Sequence, residues 1–196
     1  MRKTLTIFGL ALLLSAGVAS AQSTYSIDTA HSNVGFKNRH LVAKVSGSFN
    51  EFDGTIKTDF ENLDNSSVEF VIKTASIDTA NEKRDGHLRS PDFFDADNHP
   101  EITFKSSKIT RKDEDTFEVA GILNMRGVNQ PVVLNVEYLG EMQAMGGTRA
   151  GYEISTTINR QDFDVSWNRA LDQGGVVLGD DVEVLINLAA VKQEGE

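Results

Sequence analysis

The chain has 196 residues, 39% of them hydrophobic, no cysteine, and a formal net charge of -10. That charge weighs against nucleic acid and against adsorption to anionic lipid head groups. Without cysteine there is no thiol nucleophile, no disulfide and no cysteine-linked lipid, so stability must come from a hydrophobic core.

The chain begins with a basic pair, Arg2 and Lys3, followed by an apolar run from Ile7 to Val18 and the small residues Ala19, Ser20 and Ala21. This pattern predicts a secretory signal peptide over residues 1–21, cleaved after Ala21. The exported, periplasmic product is then a single domain over residues 22–196. Removing Arg2 and Lys3 leaves 17 basic against 29 acidic side chains, a net charge of -12. No later apolar run reaches the roughly 18 residues that span a bilayer.

Beyond the leader, apolar and polar residues alternate. Val68, Phe70 and Ile72 share one side of a segment whose other side carries Glu69 and Lys73. Residues 82–95 break the pattern and predict a short helical excursion, with Asn81 as its cap and a second turn starting at Ser90-Pro91. Alternation then resumes. Phe117, Val119, Gly121 and Leu123 align, followed by Val132, Leu134, Val136 and Tyr138. Tyr152, Ile154, Thr156 and Ile158 form the next row, and Val182, Val184, Ile186 and Leu188 the last. Period two marks half-buried strands. Asp53-Gly54, Asp64-Asn65, Arg126-Gly127, Gly146-Gly147 and Gly174-Gly175 predict the turns, and Lys192–Glu196 reads as a disordered tail. Many short antiparallel strands build a β-sandwich or a closed barrel, and an eight-stranded barrel can hold one small ligand. Alternation alone leaves both open.

Arg84 to Phe104, RDGHLRSPDFFDADNHPEITF, concentrates polar chemistry. Arg84, Asp85, His87 and Arg89 could be acid-base groups. They could equally brace a helical corner whose backbone ends need partners, with Phe93 and Phe94 turned inward. The bracing role is the preferred expectation. His31, His40, His87 and His99 lack the i, i+4 spacing of a helical metal pair. Asp92, Asp95, Asp97 and Glu101 faintly resemble a calcium loop, but the glycine of such loops is missing and Pro100 intrudes. No phosphate-cradling glycine loop, zinc-protease helix or Gly-x-Ser-x-Gly elbow is present. The residues thus predict no catalytic group, no metal and no cofactor.

Four segments together carry a family resemblance: DTAHSNVGFKNRH with GSFNEFDGTI, KRDGHLRSPDFFDADNHPEITFKSS, GILNMRGVNQPVVLNVEY, and INRQDFDVSWNRALDQGGVVLGDDVEVLINL. In this order they resemble the YceI-like family of exported, lipocalin-like proteins. The resemblance implies an all-β fold, an eight-stranded antiparallel lipocalin-like barrel with a tunnel for polyisoprenoid chains or similar long amphiphiles of isoprenoid-quinone type. It implies no enzymatic reaction. One departure stands out: Asp164 follows RQDF where the family usually has glycine. With alternation, the fold predicts a tunnel lined by Phe36, Phe70, Ile72, Phe104 and Val119. Leu134, Val136, Ile154, Ile158 and Trp167 complete the expected wall. The expected partner is a long-chain isoprenoid or amphiphilic lipid, with no nucleic acid, with transient membrane contact allowed, and with a dimer among the oligomeric states left open. Two other readings are an exported enzyme modifying such a lipid and a ligand-free β-sandwich interaction module.

Overall fold

Strands form where β-branched and aromatic residues recur at every second position, because the pleat sends alternate side chains to opposite faces. The computed structural model describes residues 22–172 and 175–194. The expected leader lies outside the described residues. Eleven strands follow in chain order. They are β1 (Ser23–Ile27), β2 (Asn33–His40), β3 (Ala43–Phe49), β4 (Phe52–Thr58), β5 (Ser67–Lys73) and β6 (Ile77–Asp78). After helix α1 (Glu82–Arg89) come β7 (Glu101–Arg111), β8 (Thr116–Met125), β9 (Val128–Ala144), β10 (Gly147–Asn159) and β11 (Leu178–Lys192).

Eight of these strands close into an antiparallel ring, in the order β1-β4-β5-β7-β8-β9-β10-β11, with β11 pairing back onto β1. Closure decides for the barrel and against the sandwich, and it removes the open edges of those strands. β2, β3 and β6 extend the sheet beyond the ring. β1 pairs with Ala190–Lys192 and β2 with Leu178–Asn187, so both lie along the same edge of β11. The break between them is a 3-10 turn at Thr29–His31.

Register places the apolar rows predicted from alternation on one continuous inner surface. Phe70 pairs with Phe104, Val119 with Leu134, Val136 with Ile154, Ile154 with Ile186, and Val184 with Phe36. Interior phenylalanines lie over glycines of neighbouring strands. Phe36 faces Gly47, and Phe70 faces Gly54. Any side chain at Gly47 would enter the Phe36 ring and come within 2.8 Å of Thr79 Cγ2. Asp53-Gly54 is therefore not a turn. Gly54 sits inside β4, where a Cβ would collide with the Phe70 ring and the Glu69 carbonyl.

Arg126-Gly127 is a two-residue hairpin, with φ of 52° and 76°. Positive φ at both positions is the turn geometry that matches strand twist. The helix is shorter than the excursion expected over 82–95. Asn81 caps it, its side chain accepting from Arg84 N at 3.0 Å, but it ends at Arg89. Pro91 disfavours helical backbone at Ser90 and has no N–H to continue the ladder. The C-terminal tail also differs from the expectation. Lys192 still pairs with Tyr25, and Gln193 N donates to Thr24 O at 2.7 Å. Residues 195 and 196 lie outside the described set, as do Gln173 and also Gly174, the first residue of the expected Gly174-Gly175 turn.

Candidate functional site

The inner surface is not filled by its own side chains. A chamber of about 230 Å³ runs between α1 and the middle of the barrel. A smaller one of about 80 Å³ continues toward the opposite end, sharing Val68, Leu134, Ile154 and Leu188 with the first. Together they give the barrel an apolar hollow interior that extends from α1 toward the opposite end. His40 is the exposed residue in the wall of the larger chamber and marks an opening beside the β2–β3 hairpin.

Of the residues expected to line the tunnel, Phe36, Phe70, Ile72, Phe104, Leu134, Ile154 and Ile158 lie in the larger chamber's wall. Val119 and Val136 lie in the smaller one, where Leu134 and Ile154 recur. Trp167 lies in neither wall. Its ring stands 5.2 Å from Phe93 and 5.1 Å from His87, outside the corner. Strand alternation ends at Asn159, a 3-10 turn follows over Arg160–Phe163, and period two no longer tells which way residue 167 points.

The corner is held by short polar contacts. Thr79 N donates to Asp85 Oδ1 at 2.9 Å, and the Thr79 hydroxyl donates to the same oxygen. Arg84 Nε donates to Thr79 Oγ1 at 2.7 Å, and Arg84 Nη2 to Thr79 O at 2.7 Å. Arg84 and Asp85 thus do not pair with each other among the described residues; both clamp Thr79. Asp85 is buried. Arg89 Nη1 donates to Ala75 O at 3.2 Å, and His87 Nε2 meets Asp92 at 2.9 Å. Phe93 and Phe94 both turn into the larger chamber, Phe94 packing edge-on against Phe49.

Arg160 was not singled out by sequence, although it heads the RQDF segment. It is 4% exposed. Its guanidinium donates to the carbonyls of Gly179, Val165 and Trp167 and to Asp180 Oδ1 at 3.0 Å. Burial pulls its pKa down, and Asp180 opposes that. Asp164 takes φ 57°, ψ 16°, a left-handed conformation that glycine adopts most readily. Aspartate tolerates that region better than most residues, so the turn keeps its shape.

The far end is built from tyrosines. Tyr25 OH donates to Glu141 at 2.7 Å, and the Tyr138 and Tyr152 rings stand 5.5 Å apart. Burial raises the pKa of all three hydroxyls, and Glu141 adds to the effect.

No group of three or more His, Asp or Glu side chains capable of holding a metal occurs among the described residues. Asp92, Asp95 and Glu101 face separate partners: His87, Asn98 and Lys73. No helix among the described residues is long and apolar enough to cross a membrane. Among the described residues the arrangement offers enclosure and apolar contact.

Comparison with known proteins agrees with this architecture. The family model described as "YceI-like domain" matches residues 25–190. A UPF0312 protein of Vibrio cholerae serotype O1 is 39% identical over 169 residues, covering 84% of this chain and 89% of its own. A UPF0312 protein of Azotobacter vinelandii is 36% identical over 198 residues, covering 98% of this chain and all of its own. Among solved structures, the Campylobacter jejuni YceI protein is 31% identical with a TM-score of 0.68, covering 86% of this chain and 97% of that one. Burkholderia cenocepacia BcnA superposes with a TM-score of 0.73 at 24% identity, covering 83% and 98%. A polyisoprenoid binding domain from Saccharophagus degradans gives 0.64 at 18%, covering 86% and 98%, and like BcnA shares the fold. A family model spanning nearly the whole barrel, and relatives matched over most of their length, make this chain a member of the YceI-like family.

Proposed function

We propose that the protein is a periplasmic carrier or reservoir for a long apolar ligand, a polyisoprenoid or isoprenoid quinone, held in the barrel tunnel. The observation that carries this reading is the two-chamber apolar cavity enclosed by a closed barrel. Each methylene removed from water contributes about 0.8 kcal/mol. A long prenyl chain therefore crosses an aqueous compartment only inside an apolar container. Exchange between bilayer and tunnel replaces one apolar phase by another, so binding stays reversible. The likeness to a domain described as binding polyisoprenoid supports the ligand class. The leader-like segment of residues 1–21 supports the compartment. On this reading the ligand leaves unchanged.

Trp167, the one tryptophan of the chain, packs beside Phe93 of the chamber wall and reports on occupancy. Titrating ligand-stripped protein with a prenylated quinone should quench its emission saturably at one quinone per chain. Quenching that rises linearly without saturation, and matches free tryptophan, would contradict the proposal.

A further inference from the structure

The β2–β3 hairpin turns on Leu41 and Val42, between the paired residues His40 and Ala43. Two-residue hairpins favour Asn-Gly or another glycine pair at these positions. Here Leu41 takes φ 56°, strained for a bulky side chain, and Val42 is fully exposed. Backbone strain and apolar exposure both work against this pair in water. The hairpin stands at the opening of the larger chamber. Asn38, His40 and Val45 lie in the chamber wall, and Lys37, Arg39 and Lys44 alternate with them on the exposed side. Residues 37–44 carry three cations and no carboxylate, in a chain of formal net charge -10. Lys44 pairs with Glu183, which also stands opposite Lys37 in the strand register. Arg39 makes no ion pair among the described residues and donates to Leu41 O at 3.0 Å. The β9–β10 tip also exposes apolar side chains, Met142 and Met145. It stands at the tyrosine end, and residues 140–148 hold Glu141 and no cation.

We infer that the β2–β3 hairpin is a docking tip for a phospholipid bilayer, with Leu41 and Val42 entering the interface and the flanking cations meeting lipid phosphates. For its purpose the inference rests on the carrier reading, in which a bilayer is the ligand's source. A prenyl chain then enters the larger chamber beside the hairpin without crossing water, where every exposed methylene is unfavourable. Charge complementarity selects the partner. Lipid phosphate attracts this hairpin and repels the acidic remainder of the molecule, so the opening turns toward the bilayer. The same acidity prevents lasting adsorption, and contact is brief. A second copy of the chain is a poorer fit, because a two-fold pairing of tips would bring the same cations face to face.

The test follows transfer of an isoprenoid quinone from vesicles of phosphatidylethanolamine and phosphatidylglycerol into ligand-stripped protein, read by Trp167 quenching. Val42→Asp should slow transfer about tenfold, because an apolar side chain leaves the interface and a charge opposes entry. The final extent of quenching should match wild type. Arg39→Glu should slow transfer too, and Met145→Asp, at the other tip, should leave the rate unchanged. Leu41→Gly should slow transfer while raising the melting temperature, since glycine relieves the positive φ. A weakened fold then does not account for the slower rate. The chain has no cysteine, so an environment-sensitive dye on Val42→Cys reports docking by itself. Its emission should shift to the blue with quinone-free vesicles, and that of dye on Met145→Cys should not. No shift at Val42, equal shifts at both sites, or unslowed transfer in Val42→Asp, Arg39→Glu or Leu41→Gly would overturn the docking tip and leave the carrier reading intact. A blue shift at Val42 in protein that takes up no quinone would instead remove the carrier reading.

Discussion

Arg160 shows how one buried cation organises a segment without any chemistry. Three carbonyls and Asp180 converge on it, and these tie the Arg160–Trp167 stretch to the start of β11. Arg160→Ala would leave buried carbonyls without donors, which typically costs about 1–3 kcal/mol per group. We expect a loss of about 3 kcal/mol or more in urea unfolding; a loss below 1 kcal/mol would contradict this account. The Thr79 clamp makes a graded prediction. Asp85→Ala strands a buried N–H and hydroxyl and should cost about 2–3 kcal/mol. Arg84→Ala, at a half-buried position with solvent nearby, should cost about 1 kcal/mol. Reversal of that order in denaturant unfolding would show that the clamp is misassigned. Asp28 adds a pH dependence. His31, first, and then Arg149 hold its carboxyl below the usual carboxylate range. A depressed folded-state pKa contributes stability above the unfolded value of about 3.9 and loses it as pH falls through the folded value. Asp28→Asn should therefore flatten the melting profile below about pH 4 and leave its shape unchanged near neutrality. An unchanged acid limb would contradict the assignment.

At the scale of elements, the hollow interior depends on where glycine lets a phenylalanine lie flat. Phe36 rests over Gly47, and Phe70 over Gly54. Gly47→Val would drive the Phe36 ring into the larger chamber. Overpacking of this kind costs about 1–3 kcal/mol. It should also reduce ligand capacity, seen as weaker saturation of tryptophan quenching by a prenylated quinone; full capacity would show that Phe36 can swing elsewhere. These elements also show how far sequence carries. The strand rows were legible because one buried face enforces period two, and a slip of one residue would invert every side chain. That rule put nine of the ten expected lining residues on the cavity wall. It failed at Trp167, beyond the last residue to which a period applies. Gly54 was misread as a turn because a glycine required by close approach looks like one required by positive φ. Arg84 and Asp85 both reach Thr79, and that shared partner was not legible because Thr79 is one of several polar residues between Ser76 and Glu82.

For the whole molecule, barrel closure leaves a continuous apolar interior inside a strongly acidic protein. Such a surface favours a dispersed molecule that does not adsorb to anionic membranes, while the tunnel offers a separate apolar phase to a single chain. The tunnel, rather than any reacting group, is the feature that the family fold and the inner rows jointly produce. Its occupancy is therefore the central claim. The most direct measurement is native mass spectrometry of the protein recovered from its native cells without detergent. The account predicts a one-to-one adduct whose released mass and fragmentation are those of a neutral isoprenoid lipid, lost on organic extraction and regained from lipid vesicles. Protein that carries no adduct, and takes none up from vesicles containing such lipids, would contradict it.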